Sequence, residues 1–465
     1  MSRVYAHFIG VGGAGMSGLA KVLNDRGVPV TGSDMRLSRY AAALREDGVT
    51  VHIGHDAANL GNPEVVVVST AIPETNPELV EARSRGLEVW PRARMLAALA
   101  GDLKTVAVAG THGKTTTSSM ATAALMALGA DPTFLIGGEL NDVGSNARCG
   151  AGEHYVVEAD ESDGSFLFLD PFCAIVTNVE ADHMDHYGSF QEIVEVFEAF
   201  LARVDPAGVA VLCGDDPVLP GIAHTCRARI VTYGRGETSD VRMTACSPDG
   251  HGMRFTVEFP GGTRVEGSTS LPGEHMALNA TGVLAAVWAL GMDLERAVAG
   301  IASFGGVKRR FEPVGSHDGV DVVDDYAHHP TEVRATLTAA KSAGYERVWV
   351  VFQPHRYSRT AAFTKDFGAA FDHADRVVLM DVYSAGEAPI PGVSGKTVLD
   401  SMLARAPRKA AAYFPHRVDI AGYIAQRARA GDLVMTMGAG DVTTVGPEIM
   451  RALTEREPAG GPSCP

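Results

Sequence analysis

The chain has 465 residues, 40 basic against 56 acidic side chains for a formal net charge of −16, and 46% hydrophobic with 21% charged residues. This is an ordinary globular composition with room for several domains, and its acidity disfavours coating of nucleic acid or anionic membrane. No apolar run reaches the ~18 residues of a membrane span. The six cysteines form no CxxC pair, so neither a zinc cage nor a disulfide framework is expected. The start MSRVYAHFIGVGGAG lacks a charged region followed by a long apolar stretch, so no signal peptide is expected, and the chain reads as cytoplasmic.

In chain order, strand and helix patterns alternate, which predicts an α/β fold of three units. The first unit reads strand 5–10, helix 14–23, strand 28–34 and strand 65–70. A second opens at strand 105–109, runs through a glycine turn into helix 115–128, and continues with strands 154–159 and 174–178 and helix 190–203. An antiparallel patch follows at 253–259 and 263–268, then a third rhythm of strands at 320–325, 348–352, 377–382 and 433–437. The Pro/Gly-rich end, 457–465, reads as a frayed tail that includes Cys464. Ligands of open α/β sheets bind beyond the carboxyl ends of strands, so the chemistry is sought there.

Gly10-Val-Gly-Gly-Ala-Gly15 satisfies GxGxxG between a strand and a helix, and Asp34 ends the next strand. Such glycines let backbone N–H groups approach a diphosphate; the motif alone does not choose between a dinucleotide and a nucleotide-sugar, or exclude a bare tight turn. Gly110-Thr-His-Gly-Lys-Thr-Thr-Thr117 also follows a strand and opens a helix. Its backbone would cradle triphosphate oxygens, with Lys114 on the β/γ oxygens and Thr115 on a metal ion. Val108 stands where the usual GxxxxGK spacing has glycine. Glu158-Ala-Asp-Glu-Ser-Asp163 and Thr177-Asn-Val-Glu-Ala-Asp-His-Met-Asp185 follow successive strands, which suits a hard cation beside a nucleotide.

His275 and Asn279 share a helix face by their spacing. Lys308, Arg309 and Arg310 form a basic cluster in an acidic chain, which reads equally as an anion contact or as a solvated loop. After later strands come Asp324-Asp-Tyr-Ala-His-His-Pro330 and Val351-Phe-Gln-Pro-His-Arg-Tyr-Ser-Arg-Thr360. His328, His329, His355, Arg356 and Arg359 lack HExxH spacing and suit a carboxylate or phosphate better than a metal.

Taken in order, GVGGAGMSG, GTHGKTTT, EADESD, TNVEADHMD, GEHMALNA, GVKRRFE, DDYAHHPTEV, FQPHRYSRT and DVYSAGEAPIPG resemble the Mur ligases of peptidoglycan precursor synthesis, and most closely their alanine-adding branch. The resemblance implies a three-domain architecture. A Rossmann-like UDP-sugar domain would cover 1–101, a central P-loop-type ATPase domain 102–311, and a Rossmann-like amino-acid domain 312–465. It implies ATP-dependent ligation of L-alanine to the lactyl carboxylate of UDP-N-acetylmuramate through an acyl phosphate, with two Mg²⁺ ions for which Mn²⁺ can substitute. By motif, Lys114, Glu158 and His183 would be catalytic, with Thr115, Glu158 and His183 at the metal. Gly110, Thr111, His112, Gly113, Lys114, Thr115, Thr116, His275, Asn279, Arg310 and Asp325 would bind ATP. Gly12, Gly13, Ala14, Ser17, Asp34, Ser69 and Thr70 would bind the UDP-sugar. Tyr326, His328, Arg356 and Arg359 would face the amino acid and acyl phosphate.

Sibling ligases use a carbamylated lysine in the central domain; no lysine occurs here between Lys114 and Lys308, which agrees with the alanine-adding branch. No nucleic acid, no membrane insertion, and a monomer or homodimer are expected. The alternatives are a relative that attaches a recycled tripeptide to the same sugar nucleotide, a nicotinamide dehydrogenase, and a nucleotide-sensing binding protein. The dehydrogenase would leave the loop at 110–117 unexplained.

Overall fold

The strands of the chain fall into three successive sheets in the computed structural model, which describes residues 5–456 except 163 and 185. The tail with Cys464, and the last acidic residue of two motifs, Asp163 and Asp185, lie outside the described residues.

The first sheet holds β1 (Ala6–Ile9), β2 (Val30–Asp34), β3 (Thr50–Ile53), β4 (Val65–Val68) and β5 (Glu88–Pro91), in the order β3-β2-β1-β4-β5 and wholly parallel. β4 is an unbroken apolar run and β1 is interrupted only by the buried His7, because helices cover both faces of the sheet: α1 (Ala14–Asp25), α2 (Arg39–Glu46), α3 (Pro77–Ser84) and α4 (Arg92–Ala98). The strand order reverses at β1, so the loop after β1 opens at the switch point where α/β sheets bind ligands. The buried Glu78 carboxylate of α3 ties this sheet together: His7 Nε2 lies 2.9 Å away, Ser33 Oγ donates at 2.6 Å and Asn59 Nδ2 at 3.0 Å. Burial alone would push its pKa up, but these hydrogen bonds prevail and bring it down to about 2.

The second sheet has ten strands: β6 (Lys104–Ala109), β7 (Thr133–Leu140), β8 (Ser145–Arg148), β9 (His154–Glu158), β10 (Cys173–Val176), β11 (Val209–Cys213), β12 (Arg229–Gly234), β13 (Val241–Asp249), β14 (Gly252–Glu258) and β15 (Arg264–Thr269). Their order is β15-β14-β13-β12-β11-β10-β6-β9-β7-β8. The middle is parallel, and antiparallel pairs finish both edges. The antiparallel patch read from the sequence is β14 with β15, extended by β13. β6 sits between β10 and β9, a second switch point, and feeds α5 (Lys114–Ala127). Then come α6 (Phe190–Leu201), the short α7 (Leu219–Ile222), and α8 (Glu274–Ala289) and α9 (Leu294–Ala302), which pack on α5.

The third sheet, β16 (Glu312–His317), β17 (Val320–Asp325), β18 (Arg347–Phe352), β19 (Arg376–Leu379), β20 (Ala410–Tyr413) and β21 (Asp432–Met437), runs β16-β17-β21-β18-β19-β20 and is parallel apart from β16 with β17. The strand expected over 377–382 ends at Leu379. Helices α10 (Pro330–Ser342) and α11 (Tyr357–Ala362) follow β17 and β18. One apolar cluster runs through the first and second sheets and onto one face of the third, whose other face has its own. Among the described residues, no helix is long and apolar enough to cross a membrane.

Candidate active site

The turn from β6 into α5 needs glycine at 110: its φ is 129°, and a Cβ there would collide with Thr177 Oγ1. This bend brings the Lys114 ammonium back over its own loop, donating to Gly110 O at 2.7 Å and lying 2.7 Å from Glu161 Oε2. Burial works against the lysine charge, but Glu161 and Asp160 outweigh it and hold the pKa above its ordinary value. Burial also pushes Glu161 up to about 7. Next along the helix, Thr115 Oγ1 donates to Glu158 Oε1 at 3.0 Å, and Glu158 Oε2 accepts from Gly137 N–H at 2.7 Å. These are hard oxygen donors beside a phosphate loop. His183, held at a φ of 54°, puts Nε2 at 3.7 Å from Asp182 and 4.0 Å from Glu161, and burial lowers its pKa.

A cleft of about 430 Å³ opens over this loop and takes walls from all three sheets. Thr111, Gly113, Lys114, Thr115, Glu158 and His183 line it from the second unit. Facing them from beyond the second sheet are Arg310, Tyr326, His328, Arg356 and Arg359, so the structure gathers these sequence-predicted residues in one space. Arg309 and Arg310 lie over the Tyr326 ring, 4.8 and 5.3 Å from its centroid. His183, Arg309 and Arg356 are non-glycine residues with positive φ, a strain that collects where surrounding structure fixes a functional group.

The imidazoles here are kept neutral. Burial lowers His328 to about 4 and His355 to about 3. His328 Nδ1 lies 2.9 Å from the Tyr326 carbonyl, which puts the proton on Nδ1 and leaves Nε2 a lone pair toward the cleft.

Other expected site residues stand apart from the cleft lining. Asp325 accepts the backbone N–H groups of Phe311 and Ala327, both at 2.8 Å, with burial raising its pKa to about 6; it organises the joint between the second and third units. Asn279 lies against Gly113, and His275 sits by Gly273 with its pKa lowered by burial to about 4. Gly110 and Thr116 shape the loop behind the lining, and the His112 ring turns toward the third unit. In the first unit, Gly12 N–H donates to Asp34 Oδ2 at 2.9 Å, and a Cβ on Gly12 would come within 2.8 Å of that oxygen. Gly13 is the N-cap of α1, Ala14 O accepts from Asn146 Nδ2 at 3.0 Å, and Ser17 Oγ donates to Ala14 O at 3.0 Å. Ser69 and Thr70 follow β4, with Ser69 Oγ accepting from Ala71 N–H at 3.3 Å. These residues ring the carboxyl ends of the first sheet.

Sequence reasoning missed Arg39 and Tyr40 of α2, Glu161, Asp182 and Glu332, all near or in the cleft. Glu161 and Asp182 lie inside motifs that were singled out, but nothing in their spacing tells which acid meets Lys114. Among the described residues, His112, Glu180 and His329 have ligating atoms within 4.8 Å of one another. His329 Nδ1 accepts the Thr331 N–H at 3.3 Å, which leaves its proton on Nε2 and argues against its ligating a metal through that atom.

Three α/β units that meet at a cleft over a phosphate loop suit an enzyme that brings a nucleotide and other substrates together. Comparison agrees. Family models match residues 5–103 (Mur ligase family, catalytic domain), 108–287 (Mur ligase middle domain) and 309–440 (Mur ligase, glutamate ligase domain). UDP-N-acetylmuramate–L-alanine ligase of Saccharopolyspora erythraea is 49% identical over 461 residues, covering 97% of this chain and 93% of that one. Its counterpart in Thermobifida fusca is 48% identical over 459 residues, covering 96% of each. The crystal structure of UDP-N-acetylmuramate-alanine ligase from Thermotoga maritima has a TM-score of 0.81 at 29% identity, covering 97% of this chain and 99% of that one. A murein peptide ligase from Psychrobacter arcticus has a TM-score of 0.71 at 26% identity, covering 98% and 100%. The chain belongs to the Mur ligase family and is an ATP-dependent amide ligase.

Proposed function

We propose that the chain joins L-alanine to the lactyl carboxylate of UDP-N-acetylmuramate, giving UDP-N-acetylmuramoyl-L-alanine, ADP and phosphate. The observation that carries this reading is the single cleft in which Lys114, Thr115 and Glu158 face His328, Arg356 and Arg359. Phosphoryl transfer and amide formation need such neighbouring sites, because a carboxylate becomes a usable electrophile only once its oxygen leaves as phosphate. The higher TM-score against the alanine ligase than against the murein peptide ligase, 0.81 against 0.71, supports alanine over a tripeptide.

In this reading residues 1–101 hold the UDP-sugar, with Gly12, Gly13, Ala14, Ser17, Asp34, Ser69 and Thr70 around the UDP. Residues 102–311 hold ATP, and 312–465 bring the amino acid. The loop backbone at 110–116 cradles the triphosphate, with His275, Asn279 and Arg310 at its periphery. Lys114 turns from Glu161 to the γ-phosphoryl group as the lactyl carboxylate attacks it. The hydroxyl of Thr115 and the carboxylate of Glu158 are the hard donors Mg²⁺ favours, and His183 completes or orients that set. Mg²⁺ would neutralise charge on the transferring phosphoryl group. Arg356 and Arg359 hold anionic oxygens of alanine or acyl phosphate. His328, which lines the cleft beside Arg356 and Arg359, faces the amino acid and acyl phosphate. The substrates are intracellular metabolites, which supports a cytoplasmic enzyme.

Phosphate release from ATP, with Mg²⁺ and UDP-N-acetylmuramate, tests the reading when L-alanine and L-Ala-γ-D-Glu-diaminopimelate are supplied separately. Release that requires L-alanine is expected. Release only with the tripeptide would make the chain a recycling ligase.

A further inference from the structure

His112 belongs to the phosphate loop by sequence, yet its ring serves the third unit. Its main chain is fastened to the end of β10: the N–H donates to Asn178 Oδ1 at 2.8 Å, and the carbonyl accepts from Thr177 Oγ1 at 2.6 Å and Asn178 Nδ2 at 3.0 Å. The side chain, 11% exposed, sends Nδ1 to within 3.2 Å of Glu332 Oε1 on α10 and Nε2 to 3.6 Å from Glu180 Oε2. The ring lies 4.7 Å from that of His329. Burial opposes a charge here, but Glu180 and Glu332 outweigh it and pull the pKa up to about 9.

Both carboxylates are engaged on their far sides. Glu332 Oε2 accepts the backbone N–H groups of His328 at 3.0 Å and His329 at 3.2 Å, which shapes the N-terminus of α10. Glu180 Oε2 accepts from Thr331 Oγ1 at 2.8 Å, a second bond from the same turn of α10 back to the second unit. A continuous chain of contacts therefore runs from the loop backbone through His112 and Glu332 to His328, which lines the cleft.

We infer that His112 is a positioning residue that couples the phosphate loop to the amine-accepting site, by holding Glu332 and with it His328 in register with the bound nucleotide. The inference rests on the two-stage reading above. It separates the stages: acyl-phosphate formation needs the loop, whereas amide formation also needs α10 in place.

The test is His112→Gln, with both stages measured. Oxygen scrambling between bridge and non-bridge positions of ¹⁸O-labelled ATP, with UDP-N-acetylmuramate and no alanine, reads the first stage. Product amide, and ADP formed per amide, read the second. First-stage scrambling is expected to fall less than amide formation, which slows about tenfold with a raised KM for L-alanine and more than one ADP per amide. Glu332→Gln is expected to give the same pattern, and the double variant to be little worse than either single one. His112→Arg, which keeps a cation between the two carboxylates, recovers most of the alanine step. Thermal melting accompanies each variant, and Glu332→Gln carries the test by itself where His112→Gln does not fold. Equal loss in both stages, or additive loss in the double variant, would overturn the inference. A wild-type enzyme with no alanine-dependent product would instead overturn the proposed function.

Discussion

Arg359 of the third unit and Asp182 of the second form a buried pair: Nε and Nη2 donate to Oδ1 at 3.1 and 3.0 Å, and both side chains are 7% exposed. Burial opposes the carboxylate charge, yet Arg359 holds the Asp182 pKa well below the usual carboxylate range. Removal of one partner leaves a buried charge without compensation. Asp182→Asn is therefore expected to destabilise the docked third unit by about 3 kcal/mol, read by denaturant unfolding. A variant as stable as wild type would show that the pair contributes nothing to docking.

Lys114→Ala is expected to lower turnover by about 10²–10³-fold, as loss of a group that stabilises developing charge does. Its fold should survive, because Glu161, already raised to about 7 by burial, can take up a proton once its partner is gone. Steady-state turnover alongside circular dichroism checks both halves. Near-normal turnover would remove Lys114 from the phosphate site.

His183→Ala is expected to shift the Mg²⁺ requirement upward, with activity recovered only at higher Mg²⁺ than wild type needs. A Mg²⁺ titration of initial rate reads this, and superimposable curves would take His183 out of the metal environment.

Glu78 gives a pH prediction far from the cleft. Its folded pKa of about 2 lies below the ordinary 4.5. Its contribution is thus fully present above pH 4.5 and is lost as pH falls through about 2. A shift of this size corresponds to about 3 kcal/mol. Glu78→Gln should lower stability near neutrality and flatten its acid dependence across that window, measured as melting temperature against pH. Parallel melting profiles for the two proteins would deny the network this role.

The central strands that lead into the motif loops were legible in the sequence. β1, β6, β17 and β18 read as strands because their apolar residues dominate, as sheets covered on both faces demand, and their loops carry the glycines and charges. Edge strands escaped: β3 and β5 are short and partly exposed, so neither run nor alternation marks them. β11 (Val209–Cys213) is wholly buried, but five apolar residues do not by themselves separate strand from helix. Within the cleft, lining residues that sit in contiguous motifs were legible. The bond from Arg359 to Asp182 was not, since its partners stand 177 positions apart and only the docking of two units brings them together. Asp325 is a motif acid whose carboxylate accepts two main-chain N–H groups, a pairing that the motif alone does not announce.

The order of the units along the chain has a consequence during translation. The phosphate loop is finished once the second sheet has emerged, yet Arg310, Arg356 and Arg359, which face it across the cleft, all come later in synthesis. Until then the Lys114 charge is matched by Glu161, within the same unit. A nascent or frameshifted product that ends early thus carries a nucleotide cradle without the cations that complete it.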